Sequence, residues 1–211
     1  MKRTASTLAG LVVVVAILTG CTSTPEPTFT PGTPTPTATA TTPTTVEPPA
    51  DEAEAISAAE DTIEQLLIAQ SEINAAGGTD ASRYDDLATG KALDDYKMNA
   101  QRIAKGPLAN EDGVNVEGQA KTEGRIMFEP ETAYGQEHNG VENGLVILPG
   151  CMDISGYKIT TADGKPAYRP DSDRNKVEFQ VTYDAERKLW LVSDLLDFTG
   201  QTCLSLIHIS E

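Results

Sequence analysis

Histidine is nearly absent from this sequence, with two in 211 residues, and cysteine appears only three times. That scarcity excludes a histidine-rich metal centre, a four-thiolate zinc site and a disulfide-built miniprotein. Basic residues are also few: 16 Lys and Arg stand against 32 Asp and Glu, a formal charge of −16. A chain this acidic gains nothing from counterion release on a phosphate backbone, which excludes nucleic acid as a partner. No HExxH, G-x-S-x-G, Walker or CxxC pattern occurs, so no metal or other cofactor is expected. No apolar run reaches the ~20 residues that a membrane-spanning helix needs.

What is present begins with an address. Lys2 and Arg3 precede an apolar stretch from Leu8 to Leu18, about a dozen residues, which suits a signal-peptide core. Leu18-Thr19-Gly20-Cys21 follows and resembles the bacterial lipobox. That resemblance implies cleavage before Cys21 and a diacylglyceryl anchor on its thiol, with small residues at Thr19 and Gly20 fitting the peptidase cleft. Residues 1–20 are then a lipoprotein signal peptide, and the protein is expected on the outer face of the cytoplasmic membrane, held in the cell envelope by acyl chains.

Residues 21–50 follow as the lipidated N-terminus and a linker. Residues 22–50 carry twelve Thr and eight Pro, with Phe29 and Val46 as the sizeable apolar groups. Such a composition buries too little surface to offset chain ordering and favours polyproline II, reaching roughly 90 Å at ~3.1 Å per residue. Composition changes at Asp51: residues 51–203 hold 29 acidic and 14 basic side chains and no low-complexity stretch, a unit large enough for its own core.

Within that unit Asp51 and Glu54 stand as N-cap and N3 of a helix. Ile56, Ala59, Ile63, Leu66, Leu67 and Ile73 recur at helical spacing, and Gly77-Gly78 ends the run. A short turn at Ser82–Leu87 and a helix from about Lys91 to Lys105 come next, stopped by Gly106-Pro107. Beyond Pro107 the expected strands are Val114–Val116, Arg125–Phe128, Leu145–Met152, Tyr157–Thr161, and a hairpin of residues 177–183 with Leu189–Ser193. Pro149-Gly150 marks a bulge or an edge position, and residues 130–143 read as a loop. Helices first and strands after argue for α+β, with the N-terminal helices packed on one face of a curved antiparallel sheet.

The long helix before Gly77-Gly78, the segment Ala88-Thr89-Gly90-Lys91-Ala92-Leu93 and the segment Cys151-Met152-Asp153-Ile154-Ser155 carry a further likeness. Lys188-Leu189-Trp190-Leu191-Val192-Ser193-Asp194 and a final Gly200…Cys203 complete it. Together they resemble the nuclear transport factor 2-like, cone-shaped domain of actinobacterial cell-surface lipoproteins, over most of residues 51–203. The resemblance implies a disulfide between Cys151 and Cys203, consistent with two cysteines left in an exported domain. It implies a non-catalytic module that binds a small apolar ligand or another envelope protein. The alternative is a cone-fold enzyme, of isomerase, dehydratase or hydrolase type, on a small hydrophobic substrate.

For such an enzyme Asp153, Tyr157, Tyr183 and Asp194 are the candidate acids, bases and donors, although strand-end carboxylates and core tyrosines are the plainer role for each. His138 sits in a polar turn. Asp171-Ser172-Asp173-Arg174-Asn175 imitates the start of a calcium loop, but Lys176 stands where such a loop needs Gly, and Thr182 where it needs Glu. Residues 204–211, LSLIHISE, read as the translation of a transposase mosaic-end sequencing adapter. The native chain is therefore expected to depart from this sequence at or after Cys203.

Overall fold

A computed structural model of the chain describes residues 45–203. Leu18, Thr19, Gly20 and Cys21, the signal peptide and the segment 204–211 lie outside the described residues.

Helix α1 (Glu52–Ala75) starts where the sequence sets its cap. Asp51 Oδ1 accepts the Glu54 N–H at 2.9 Å, and Glu54 Oε2 accepts the Ala50 N–H at 2.7 Å. One orphan donor of the helix is thereby met and the chain ahead of the cap is tied to the first turn, while Glu52 and Glu54 place negative charge at the positive end of the helix dipole. Ala59, Ile63, Leu66, Leu67 and Ile73 are buried as the periodicity requires, while Ile56 is only half-buried. A 3₁₀ turn (Ser82–Asp86) buries Tyr84, and helix α2 (Gly90–Lys105) buries Ala92, Tyr96, Ala100 and Ile103.

Among the described residues nine strands follow: β1 (Leu108–Ala109), β2 (Asn115–Val116), β3 (Lys121–Glu123), β4 (Met127–Pro130), β5 (Tyr134–His138), β6 (Val141–Asp153), β7 (Lys158–Thr160), β8 (Arg174–Asp184) and β9 (Leu189–Thr202). The pairings between these strands are antiparallel. β1 pairs β2 and β3 pairs β7, and the main sheet runs β4-β6-β8-β9 with β5 also on β6. Val177, Phe179, Val181 and Tyr183 of β8 face the helices with Val146 and Leu148 of β6 and Trp190 and Val192 of β9. This is an α+β domain with two helices layered on an antiparallel sheet.

The structure differs from the sequence expectation at β1 and β3, which were not expected, at the length of β9, and most clearly at Pro149 and at residues 130–143. β6 runs unbroken through Pro149 between β8 and the pair β4/β5, so it is not an edge strand. The proline is tolerated because its missing N–H faces residues 131–133, where the neighbouring chain passes from β4 to β5 and leaves the ladder. There the Pro149 carbonyl accepts the Glu131 N–H at 3.0 Å. The expected loop at residues 130–143 is instead β5, a turn and the start of β6. Asn139 (φ 51) and Gly140 (φ 80) form that turn, the left-handed pair that closes a tight hairpin.

The Cys151–Cys203 disulfide is formed, with Cα atoms 6.0 Å apart. Cys151 lies on β6 opposite Lys176 of β8, and the Cys203 N–H bonds to the Arg174 carbonyl just past the end of β9. Upstream of Asp51 the chain is already held. The Val46 N–H donates to the Lys188 carbonyl at 2.8 Å, the Tyr183 hydroxyl donates to the Val46 carbonyl at 2.8 Å, and Glu47 pairs with Lys188.

Candidate functional site

The α1/α2 layer does not seal completely against the sheet. Ala92, Asp95, Tyr96 and Asn99 stand at i, i+3, i+4 and i+7 on one face of α2, and this face looks into a cavity of about 330 Å³. Gln70 of α1, Ile126, Met152 of β6 and Leu195 of β9 supply the other walls. That volume falls at the small end of the ~300–1,000 Å³ typical of ligand pockets. The lining is mostly apolar, with a few polar groups set into it.

Two of those polar groups stand out. Gln70 is 9% exposed and Tyr96 4%. Among the described residues neither the Gln70 amide nor the Tyr96 hydroxyl has a hydrogen-bond partner. Burial, with the nearby Asp95 charge second, pushes the Tyr96 phenol above its usual range, so it remains a proton donor. Asp95 lines the same cavity but is engaged: Lys91 Nζ lies 2.7 Å from its Oδ2 and 3.3 Å from Asp194 Oδ1. These hydrogen bonds, the one donated to Asp95 first, raise the Lys91 ammonium above its ordinary value.

A second space of about 330 Å³ lies between α1 and β4, on the other side of Ile126. Its floor includes Ile63, Leu67 and Phe128, and Glu60, Asp61, Glu64 and Arg125 also line it. Met127, 45% exposed, also lies here.

The four candidate catalytic residues are not assembled into one site. Asp153 accepts the Ser155 N–H at 2.8 Å, and hydrogen bonds from Ser155, more than the charge of Arg174, hold its carboxyl below the ordinary range. The Tyr157 hydroxyl accepts from Asn74 Nδ2 at 2.8 Å inside the core, where burial raises it. Tyr183 is occupied with Val46, and Asp194 reaches the α2 cavity only through Lys91 while also capping the Leu195 N–H. His138 ends β5 beside Asn139, 2.9 Å away. Asp173 of the calcium-like segment is taken by the Arg169 guanidinium at 2.6 Å. Among the described residues no three His, Cys, Asp or Glu side chains converge, and no helix is long and apolar enough to cross a membrane.

Gln70, Tyr96 and Asn99 were not singled out as functional residues from the sequence. The available signal was Gln70 itself, a carboxamide among Ile63, Leu66, Leu67 and Ile73 on the inward face of α1.

The described residues thus define the class: a two-helix layer on an antiparallel sheet with a ligand-sized cavity at the boundary. No protein-family model matches the chain, and no curated protein matches it.

Proposed function

We propose that this protein is a lipid-anchored lipoprotein of the outer face of the cytoplasmic membrane, whose nuclear transport factor 2-like domain binds a small apolar ligand without transforming it. The observation that carries the binding role is the α2 cavity, apolar in its walls and with polar groups unmet inside it. A non-catalytic role is supported by the dispersal of Asp153, Tyr157, Tyr183 and Asp194, each engaged with a different partner, and by the ion pair that Asp95 makes with Lys91. The anchor rests on the lipobox at Leu18–Cys21, and the Thr/Pro-rich tether gives the domain reach from the bilayer.

The test has two arms on the full chain expressed in a host that processes lipoproteins. The wild type is expected in the membrane fraction with a diacylglyceryl mass on Cys21, and Cys21→Ala is expected to lose that mass. Native mass spectrometry before and after denaturation is expected to show a small molecule released from the folded protein. A wild type without the lipid mass contradicts the anchor. The groove between α1 and β4, rimmed by Glu60, Asp61 and Glu64, favours a second reading, a cationic envelope protein as partner. A clean apo mass moves the assignment there.

A further inference from the structure

The α2 cavity holds two polar side chains that the fold leaves unanswered, and their chemistry limits what can sit there. Gln70 enters from α1 and Tyr96 from α2, each more than nine-tenths buried. Their polar atoms reach the open cavity, where solvent meets them, so a ligand that displaces that solvent must supply an acceptor or forfeit those hydrogen bonds. The hydroxyl of Tyr96 and the amide nitrogen of Gln70 are both donors, so a neutral acceptor oxygen on the ligand answers either.

Charge narrows the class further. A carboxylate or ammonium ligand would have to leave water for a largely apolar space, which is prohibitive without a counter-charge. The charges at the cavity, Asp95 and Lys91, already satisfy each other at 2.7 Å, with Asp194 at 3.3 Å as a second partner for the lysine. Neither is left over to neutralise an ion. Ala92, Ile126, Met152 and Leu195 supply apolar contact for the body of the molecule.

Building on the cavity as the ligand site, we infer that Gln70 and Tyr96 select an uncharged, mostly apolar ligand carrying one carbonyl or hydroxyl oxygen. Gln70 and Tyr96 are the specificity-determining residues, and the apolar walls contribute affinity without discrimination among shapes of similar size.

Three probes of nearly equal size separate these contributions: 4-phenyl-2-butanone, n-butylbenzene and 3-phenylpropanoate. Binding is measured by ligand-observed NMR on the full chain in nanodiscs, with empty nanodiscs as the reference. The ketone is expected to bind about tenfold tighter than the hydrocarbon or the carboxylate, the scale of one well-placed buried hydrogen bond. Gln70→Met and Tyr96→Phe, each checked for folding by circular dichroism, are each expected to cut ketone affinity about threefold, and both together about tenfold, while leaving butylbenzene unchanged. Tyr96→Phe removes one oxygen only and keeps the test valid if Gln70→Met does not fold. Equal binding of ketone and hydrocarbon, preference for the carboxylate, or a ketone preference that survives both substitutions overturns the selection and leaves the cavity as a binding site. Binding of none of the three overturns the cavity reading as well.

Discussion

Gln70 occupies a position that the periodicity of α1 reserves for an apolar side chain, and the structure shows why one is not there: it faces a cavity rather than packed core. The same logic, read in reverse, applies to the candidate catalytic residues. Asp153 and Asp194 are polar residues at strand positions that need capping, and each accepts a neighbouring backbone N–H. In Asp153 the hydrogen bonds from Ser155 hold the carboxyl below its ordinary range, which makes it a poor base at neutral pH. The disulfide is the residue-scale feature with the largest expected weight. It closes a loop over a sequence separation of 52, which in the chain-entropy account restricts the unfolded state by about 4 kcal/mol. Replacing Cys151 and Cys203 together with Ala is expected to lower unfolding free energy in urea by 2–4 kcal/mol, roughly. Reductant is then expected to leave the double variant unchanged while destabilising the wild type; an equal response of both would contradict the bridge as a stabilising element.

Among the elements, β6 shows how one strand meets conflicting demands. It carries core residues on one face, a cysteine on the other, and Pro149-Gly150 in its middle. The proline falls where β4 hands over to β5, so no ladder bond is lost. Gly150 has a different reason. A Cβ there would sit 2.4 Å from the Glu129 carbonyl and 2.7 Å from the Phe128 ring, which packs edge-on against Phe179 at 4.8 Å. Gly150→Ala is therefore expected to destabilise by about 1–3 kcal/mol through overpacking, read as a lower urea midpoint. A midpoint equal to wild type would mean that β4 is not held as tightly as described.

Legibility follows the range of the determining interactions. α1, α2 and the β8–β9 hairpin were readable because capping, period and turn chemistry are local to each. β9 was seen only to Ser193, because beyond it the strand is irregular: the pairing slips between Gln180 and Val181, and again between Asn175 and Val177. β5 was missed although Asn139-Gly140 signalled a hairpin, since Tyr134–His138 is mostly polar and exposed and shows no strand pattern. The cavity was not legible at all. It is a gap between α1, α2 and the sheet, and only their packing shows that Gln70 and Tyr96 share it.

At the scale of the whole molecule, the proposed lipoprotein carries an anchor at Cys21 and a Thr/Pro-rich tether ahead of a domain whose helices and sheet leave a cavity open. The charge of −15 over residues 51–203 repels the domain from anionic surfaces. The linker's last residues are docked through Val46 and Glu47 on the turn between β8 and β9, so the domain meets its tether at that hairpin.

Methionine methyl NMR tests the central claim most directly, because the methionines are distributed between the two spaces. Met98 and Met152 line the α2 cavity and Met127 lines the groove at β4. With ¹³C-methyl methionine in the full chain in nanodiscs, 4-phenyl-2-butanone is expected to shift the Met98 and Met152 signals in a saturable way. Met127 is expected to stay in place. A shift confined to Met127, or none at any of the three up to the solubility of the probe, would contradict the α2 cavity as the ligand site.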